Sequence, residues 1–354
     1  MTALECPLPI EEGEVVLLGH GAGGRLSAEL LDDLLLPAIS GSSGHGLIGR
    51  VPLEDAAVLP ATGSAELVVS TDSFVVSPLF FPGGDIGSLS VHGTINDVAM
   101  MGAMPTALAV SLIIEEGLPL ATLERVARSL GEAARAAGVA VVTGDTKVVN
   151  RGAADQLFIT TTGLGTRLPG IRTSAAYAAP GDVVLLSGPI GLHGTTVLST
   201  REGLGFESDI ATDSRPLHHL VRAIAEAGSS AVHVLRDPTR GGLATTLNEI
   251  ARDSAVTVEI DEAAIPVPEA VAAACDLLGL DILHVANEGC LVAIVAADKA
   301  EAVLSAMHAA PGGEGAVRIG RVADWPAGRV TMRTLVGARR VVDMLAGEQL
   351  PRIC

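Results

Sequence analysis

Apolar residues follow two periods along the chain. Short continuous or alternating runs at 66–71, 107–114, 139–142, 156–162, 182–188, 256–261, 282–286, 291–295, 317–322 and 329–334 have the pattern of buried or half-buried strands. Between them, 89–101, 120–137, 215–227, 243–253, 267–278 and 299–309 repeat apolar residues at helical spacing. A strand at 14–18 and a helix at 26–36 open the series. This alternation predicts an α/β chain of mixed α+β character. Residues 163–172, rich in Gly and Pro, interrupt it once and read as a linker. The expected organisation is therefore an arm at 1–13, a domain at 14–168, a second α/β domain at 169–336, and a flexible tail at 337–354 that closes on Cys354.

Composition narrows the function. Forty-eight percent hydrophobic residues and 18% charged, with mean hydropathy +0.46, describe a globular chain with much buried surface, compatible with a homo-oligomer. Forty-one acidic residues against 23 basic give a formal charge of −18, and the chain has one Trp, one Tyr and five Phe. Nucleic acid is excluded as a partner, since phosphate backbones are repelled and bases have little to stack on. A triphosphate would need a divalent cation between itself and such carboxylates. Cys6, Cys275, Cys290 and Cys354 show no zinc-site spacing, and no leader pattern or membrane-spanning run is visible, so a cytoplasmic protein without membrane contact is expected. Cys354 does not form a prenylation box, which needs its Cys fourth from the end.

Several stretches place chemistry at element ends. Residues 19–24 spell G-x-G-x-x-G between strand and helix, but no acidic residue follows about 20 positions on, as a dinucleotide site requires. A glycine flap over phosphates, with His20, fits better. No P-loop occurs. Asp72 follows an apolar strand, and Asn96 and Asp97 sit among apolar neighbours in a predicted helix, where they need partners. Asp145 and Lys147 stand together at the expected exit of strand 139–142, with Gly144 allowing a tight turn. Arg236 to Gly242 (RDPTRGG) precedes a helix, whose N-terminus attracts anions. Glu288 follows the strand expected at 282–286. Each has a bland alternative: turn and cap carboxylates, and a surface ion pair for Asp145 and Lys147.

Taken together, residues 70–85 (STDSFVVSPLFFPGGD), Asn96-Asp97, 144–149 (GDTKVV), 236–242 (RDPTRGG), 286–289 (ANEG) and 351–354 (PRIC) resemble the hydrogenase maturation factor HypE family, in order from about residue 14 to 354. That family is similar in turn to aminoimidazole ribonucleotide synthetase and selenophosphate synthetase. The resemblance implies a two-domain aminoimidazole ribonucleotide synthetase-like fold, usually dimeric, with ATP and Mg²⁺ as cofactors. It also implies an ATP-dependent carbamoyl dehydratase. A partner, HypF, carbamoylates the terminal thiol; the enzyme dehydrates the thiocarboxamide to a protein thiocyanate, and cyanide passes to iron on the HypC–HypD complex. By the same resemblance Cys354 is the reactant, Lys147 stabilises phosphoryl charge and Glu288 is the base. Asp55, Asp97, Asp145 and Asp237 are assigned to metal, and Asp72, Asp97, Asp145, Asp237, Gly83, Gly84 and Asn96 to the nucleotide. His92 and Glu54 depart mildly from the family pattern. Two rivals are a small-molecule ATP-dependent synthetase of the same superfamily and a non-catalytic thiol carrier.

Overall fold

The computed structural model describes residues 24–29, 32–33, 54–60, 66–203, 210–345 and 352–354. The strand expected at 14–18, His20 and residues 19–23 of the glycine segment lie outside them; of the helix at 26–36, α1 (Arg25–Glu29) and residues 32–33 are described.

The first domain comprises β1 (Ala57–Pro60), β2 (Glu66–Phe74), a small hairpin β3 (Phe80–Phe81) and β4 (Gly84–Asp85), α2 (Ile86–Met100), β5 (Ala103–Glu115), α3 (Leu120–Ala136), β6 (Ala140–Val149) and β7 (Leu157–Arg167). Its main sheet has the order β1-β2-β7-β5-β6, and only β5 and β6 run parallel, joined by the α3 crossover. Period-two alternation decides its faces. Val68, Ser70 and Phe74, Leu108, Val110 and Ile114, and Leu157, Ile159 and Thr161 are buried on the α2 side. The opposite face is hydroxylic: Thr71 meets Thr162 and Ser73 meets Thr160, each at 3.0 Å across β2 and β7. α2 begins at Ile86 because Asp85 forms a capping box, its Oδ1 accepting from Gly87 N (2.7 Å) and Ser88 N (3.1 Å).

The second domain follows with β8 (Val183–Leu186), α4 (Leu192–Arg201), α5 (His218–Gly228), β9 (Val232–Arg236), α6 (Gly242–Asp253), β10 (Thr257–Asp261), α7 (Glu269–Leu278), β11 (Val292–Val295), α8 (Ala300–Ala309), β12 (Val317–Ala323), β13 (Arg329–Arg333) and β14 (Arg339–Val342). Its sheet has the order β14-β13-β10-β12-β8-β11-β9. β8 is buried on both faces: Val183 and Leu185 meet α5 and α8, while Val184 and Leu186 meet α6. Val197, Val271 and Val285 join the core of the first domain, so the two domains share the floor of the cleft between them.

Three local readings change. β6 does not stop at 142; it runs to Val149 beside β5, so Asp145 and Lys147 lie within a strand. Gly144 serves close approach rather than a turn, since a Cβ there would stand 2.4 Å from the Val110 carbonyl oxygen. Residues 282–284 form a 3₁₀ turn instead of a strand, because the Asp281 side chain accepts the Leu283 N–H (3.1 Å) and bends the chain. Residues 339–342, read as part of the tail, pair with β13 as β14.

Candidate active site

Three carboxylates from distant parts of the chain converge at the cleft. Asp55 precedes β1, Asp97 projects from α2 and Asp237 follows β9; one oxygen of each lies within 4.8 Å of the others. Ser70 Oγ donates to Asp97 Oδ2 at 2.8 Å, and Arg236 Nε pairs with Asp55 Oδ1 at 3.0 Å. Burial drives all three pKa values up. Asp97 is held well above the usual range by burial and by Asp72, Asp237 and Asp55. Asp55 is also held well above it by burial, although Arg236 pulls the other way. Asp237 rises to about 6 by burial, again opposed by Arg236. Burial also opposes the Arg236 charge, yet Asp55 and Glu249, the latter 2.8 Å from Nη2, keep the guanidinium charged.

One oxygen of this cluster, Asp55 Oδ2, is buried with no hydrogen-bond donor among the described residues. An orphaned carboxyl oxygen beside two further acidic groups fits a hard divalent cation, which would replace the protons that burial retains there and for which oxygen ligands are the normal set. Asp55, Asp97 and Asp237 are the residues that would hold Mg²⁺. Asp72, one strand residue from Ser73, accepts from Thr94 Oγ1 at 3.1 Å and stands beside the cluster.

Glu288 is presented by a tight loop. Its N–H and that of Gly289 donate to the two carboxylate oxygens of Asp213 (3.1 and 3.0 Å), and a Cβ at Gly289 would lie 1.7 Å from the Asp213 carbonyl oxygen, so only glycine fits. Burial, then Asp237, Asp213 and Asp72, push the Glu288 pKa well up. Residues 352–354 reach the same region. Val75 N donates to the Cys354 main-chain oxygen (3.1 Å) and Ser77 N to that of Arg352 (3.2 Å), which lays residues 352–354 antiparallel to the chain leaving β2. Ile353 is buried in the core of the first domain. The Cys354 thiol is pushed up to about 12 by burial, with Arg240 opposing and Glu288 and Asp72 adding to the rise. It therefore rests as a neutral thiol under the opposing influence of the Arg240 guanidinium and the Glu288 and Asp72 carboxyl groups.

Of the remaining expected residues, Asp145 and Lys147 do not join the carboxylate cluster within one chain. Ser73, Thr160, Ser111 and Asp145 are aligned on successive strands, so Asp145 is three strand spacings, about 14 Å, from β2. It also lies on the face opposite Asp72. Asp145 and Lys147 pair at 2.9 Å with both side chains exposed. Asn96 Nδ2 donates to the carbonyls of Arg215 (3.0 Å) and Glu288 (3.4 Å), and its Oδ1 accepts from Leu217 N (2.8 Å); its hydrogen bonds clamp the two domains. Gly83, with φ +82°, turns the β3–β4 hairpin, and Gly84 packs against Phe81 and Thr212. Glu54 accepts from Ala175 N (3.2 Å) and Ser174 Oγ. His92 bonds Ser214 Oγ at 3.0 Å and, lowered to about 4 by burial, is neutral. Arg236, Arg240 and Asp213 were not singled out from the sequence, although the first two lie within RDPTRGG.

Residues 53–167 match the family model "AIR synthase related protein, N-terminal domain", and residues 179–333 match the C-terminal domain model. A curated relative from Cupriavidus necator, named carbamoyl dehydratase HypE, is 56% identical over 348 residues, 98% of this chain and 97% of that protein. The chain belongs to the HypE family. Its fold is accordingly that of the family: a HypE crystal structure in complex with ATP superposes with TM-score 0.79 at 50% identity, covering 96% of this chain and all (100%) of the other. A HypE–HypF complex matches with TM-score 0.78 at 46% identity, over 82% and 93% of the two chains.

Proposed function

We propose that this chain is an ATP-dependent carbamoyl dehydratase of hydrogenase maturation, acting in the cytoplasm on its own Cys354. The observation that carries this reading is the docking of residues 352–354 along the chain leaving β2, which brings the Cys354 thiol within electrostatic reach of Arg240, Glu288 and Asp72. A thiol carrier has no use for three converging carboxylates, and a small-molecule synthetase has none for a thiol that occupies the cleft.

The reaction divides into two changes. The carbamoyl oxygen on Cys354 Sγ attacks the γ-phosphorus of ATP, the bond to ADP breaks, and a poor leaving group becomes a phosphate ester. Two protons then leave the nitrogen, the C–O bond breaks with loss of phosphate, and the C≡N bond forms. Thiocarboxamide and ATP become thiocyanate, ADP and phosphate. Glu288 is the base: its raised pKa makes its carboxylate a strong acceptor, and Asp213 fixes its loop. Arg240, whose charge is felt at the Cys354 thiol, would offset negative charge developing around the sulfur. Mg²⁺, held by Asp55, Asp97 and Asp237, supplies charge neutralisation for the triphosphate.

HypF is the source of the carbamoyl group in this reading, supported by the HypE–HypF complex among the relatives, and the HypC–HypD complex receives the cyanide. Because the tail is docked between the two domains with its thiol only partly exposed, both exchanges require it to swing outward. A homodimer is part of the proposal. β6 is the edge of its sheet, and Val141, Val142 and Val148 on it are exposed, a surface that a second copy would cover. Such a copy brings Asp145 and Lys147 to the cleft of its neighbour.

Intact-mass analysis of carbamoylated protein incubated with Mg–ATP tests the reaction. Loss of one water is expected for the wild type, and Glu288→Gln should slow it by roughly 10²–10⁴-fold, the usual weight of a general base. A wild-type mass that never changes sinks the reading.

A further inference from the structure

The tail is held mostly through its main chain, and much of the grip comes from one helix of the second domain. His193, in the first turn of α4, places Nε2 at 2.6 Å from the Ile353 carbonyl oxygen and Nδ1 at 2.7 Å from Thr212 Oγ1. A carbonyl only accepts, so Nε2 carries the proton. Nδ1 is then the acceptor and the Thr212 hydroxyl donates to it, while Thr212 Oγ1 accepts from Ser214 N at 3.1 Å. The ring is therefore fixed in one tautomer, and Phe81 packs against it edge-on at 5.6 Å. Two turns along the same helix, Arg201 Nη2 donates to the Arg352 carbonyl at 2.6 Å, and Nε donates to the Ser77 carbonyl at 2.8 Å. Arg352 itself reaches Asp155 at 2.5 Å on the first domain.

We infer that His193 and Arg201 are positioning residues which clamp consecutive tail carbonyls, at Ile353 and Arg352, and thereby hold Cys354 at Glu288. The first domain leaves the Ile353 carbonyl without a donor among the described residues. It offers Val75 N to the Cys354 oxygen, Ser77 N to the Arg352 carbonyl and Asp155 to the Arg352 side chain; α4 adds a second donor, Arg201, to the Arg352 carbonyl and, through His193, a donor to the Ile353 carbonyl. The clamp reads backbone, so it is indifferent to what the sulfur carries. It would hold a free, carbamoylated or cyanated thiol alike, and its strength sets the share of time the tail spends inward. Both residues are missed by sequence reasoning, because neither stands near the PRIC segment or the acidic motifs in the chain.

Alkylation of Cys354 by iodoacetamide, followed by peptide mass spectrometry in a Cys6→Ser background, measures that share without ATP or a carbamoyl group. Buried Cys275 and Cys290 serve as internal controls. His193→Phe and Arg201→Ala should each speed alkylation of Cys354 by roughly tenfold, the population change expected from losing one buried hydrogen bond, and leave the two controls slow. His193→Gln, whose amide N–H can replace Nε2–H, should stay near the wild-type rate. If Cys354 reacts at the wild-type rate in both His193→Phe and Arg201→Ala, the clamp is overturned. If His193→Phe exposes all three thiols together, the fold has opened, and Arg201→Ala decides alone by the same criterion. In the dehydration assay the clamp variants should lose rate while ATP affinity holds. The inference rests on the dehydratase reading only for that last effect: a wild type that never dehydrates its thiocarboxamide removes the reading and leaves the alkylation result standing.

Discussion

Asp237 shows how burial turns a common residue into a sensor of its surroundings. Its carboxyl, raised to about 6 chiefly by burial, keeps its proton below that pH and loses it above. Protonation removes one negative ligand, so Mg²⁺ affinity should fall by roughly tenfold or more per unit below about 6 and go on rising above it as Asp55 and Asp97, also held high by burial, lose their protons. Without Mg²⁺ the sign for stability is reversed. Between the ordinary aspartate value and about 6 the folded state binds more protons than the unfolded one, so stability declines as pH rises through that window. Thermal melts near pH 5 and pH 8, with and without Mg²⁺, check both: the cation should raise the melting temperature more at the higher pH. Greater stabilisation at the lower pH would rule out the triad as the cation site. The acidic residues themselves were visible in the sequence, since Asp97 stands among apolar neighbours and Asp237 precedes a helix. Which of them meet was not, because Asp55, Asp97 and Asp237 are brought together only by the docking of β1, α2 and β9.

Elements were legible where the apolar period was strong and long. α3, with Val126, Leu130, Ala133 and Ala134 on its buried side, follows the helical spacing closely. The reading failed where a single side chain or a neighbouring strand overrode the local pattern: Asp281 turned an apolar run into a 3₁₀ turn, and pairing with β5 drew β6 past Gly144. α2 illustrates a subtler limit. Asn96 needs partners by its place among apolar neighbours, and main-chain groups of residues 215, 217 and 288 supply them. Asn96→Ala would strand these groups in a buried seam, costing about 1–3 kcal/mol. A urea melt should show the midpoint falling with an unchanged slope. Because Asn96 Nδ2 also supports the Glu288 carbonyl, the loss should reach the loop that carries the proposed base. A midpoint equal to that of the wild type would mean that water replaces the clamp without cost.

At the scale of the whole molecule, the two residues that the family resemblance ties most closely to phosphoryl transfer and proton transfer, Lys147 and Glu288, belong to different places in one chain. Glu288 is buried in the interdomain cleft; Lys147 projects from the edge strand, on the far face of the sheet from Asp72. No rotamer of a lysine spans three strands and a change of face; in the proposed dimer a second copy would unite them. The proposed dimer then makes a sharp demand. Lys147→Ala and Glu288→Gln should each be inactive in dehydration as homodimers. Co-expressed with different affinity tags and purified through both, they should regain activity. In the mixed dimer the Lys147→Ala subunit keeps Glu288 and receives Lys147 from its neighbour, so one cleft is complete and the other lacks both groups. If Lys147 served its own cleft, each cleft of the mixed dimer would lack one group and the mixture would be as inactive as its parents. Charged replacements at Val141 and Val148 supply the control: with the β6 face no longer able to pair, sedimentation should report monomers, and the mixture should lose what complementation restored.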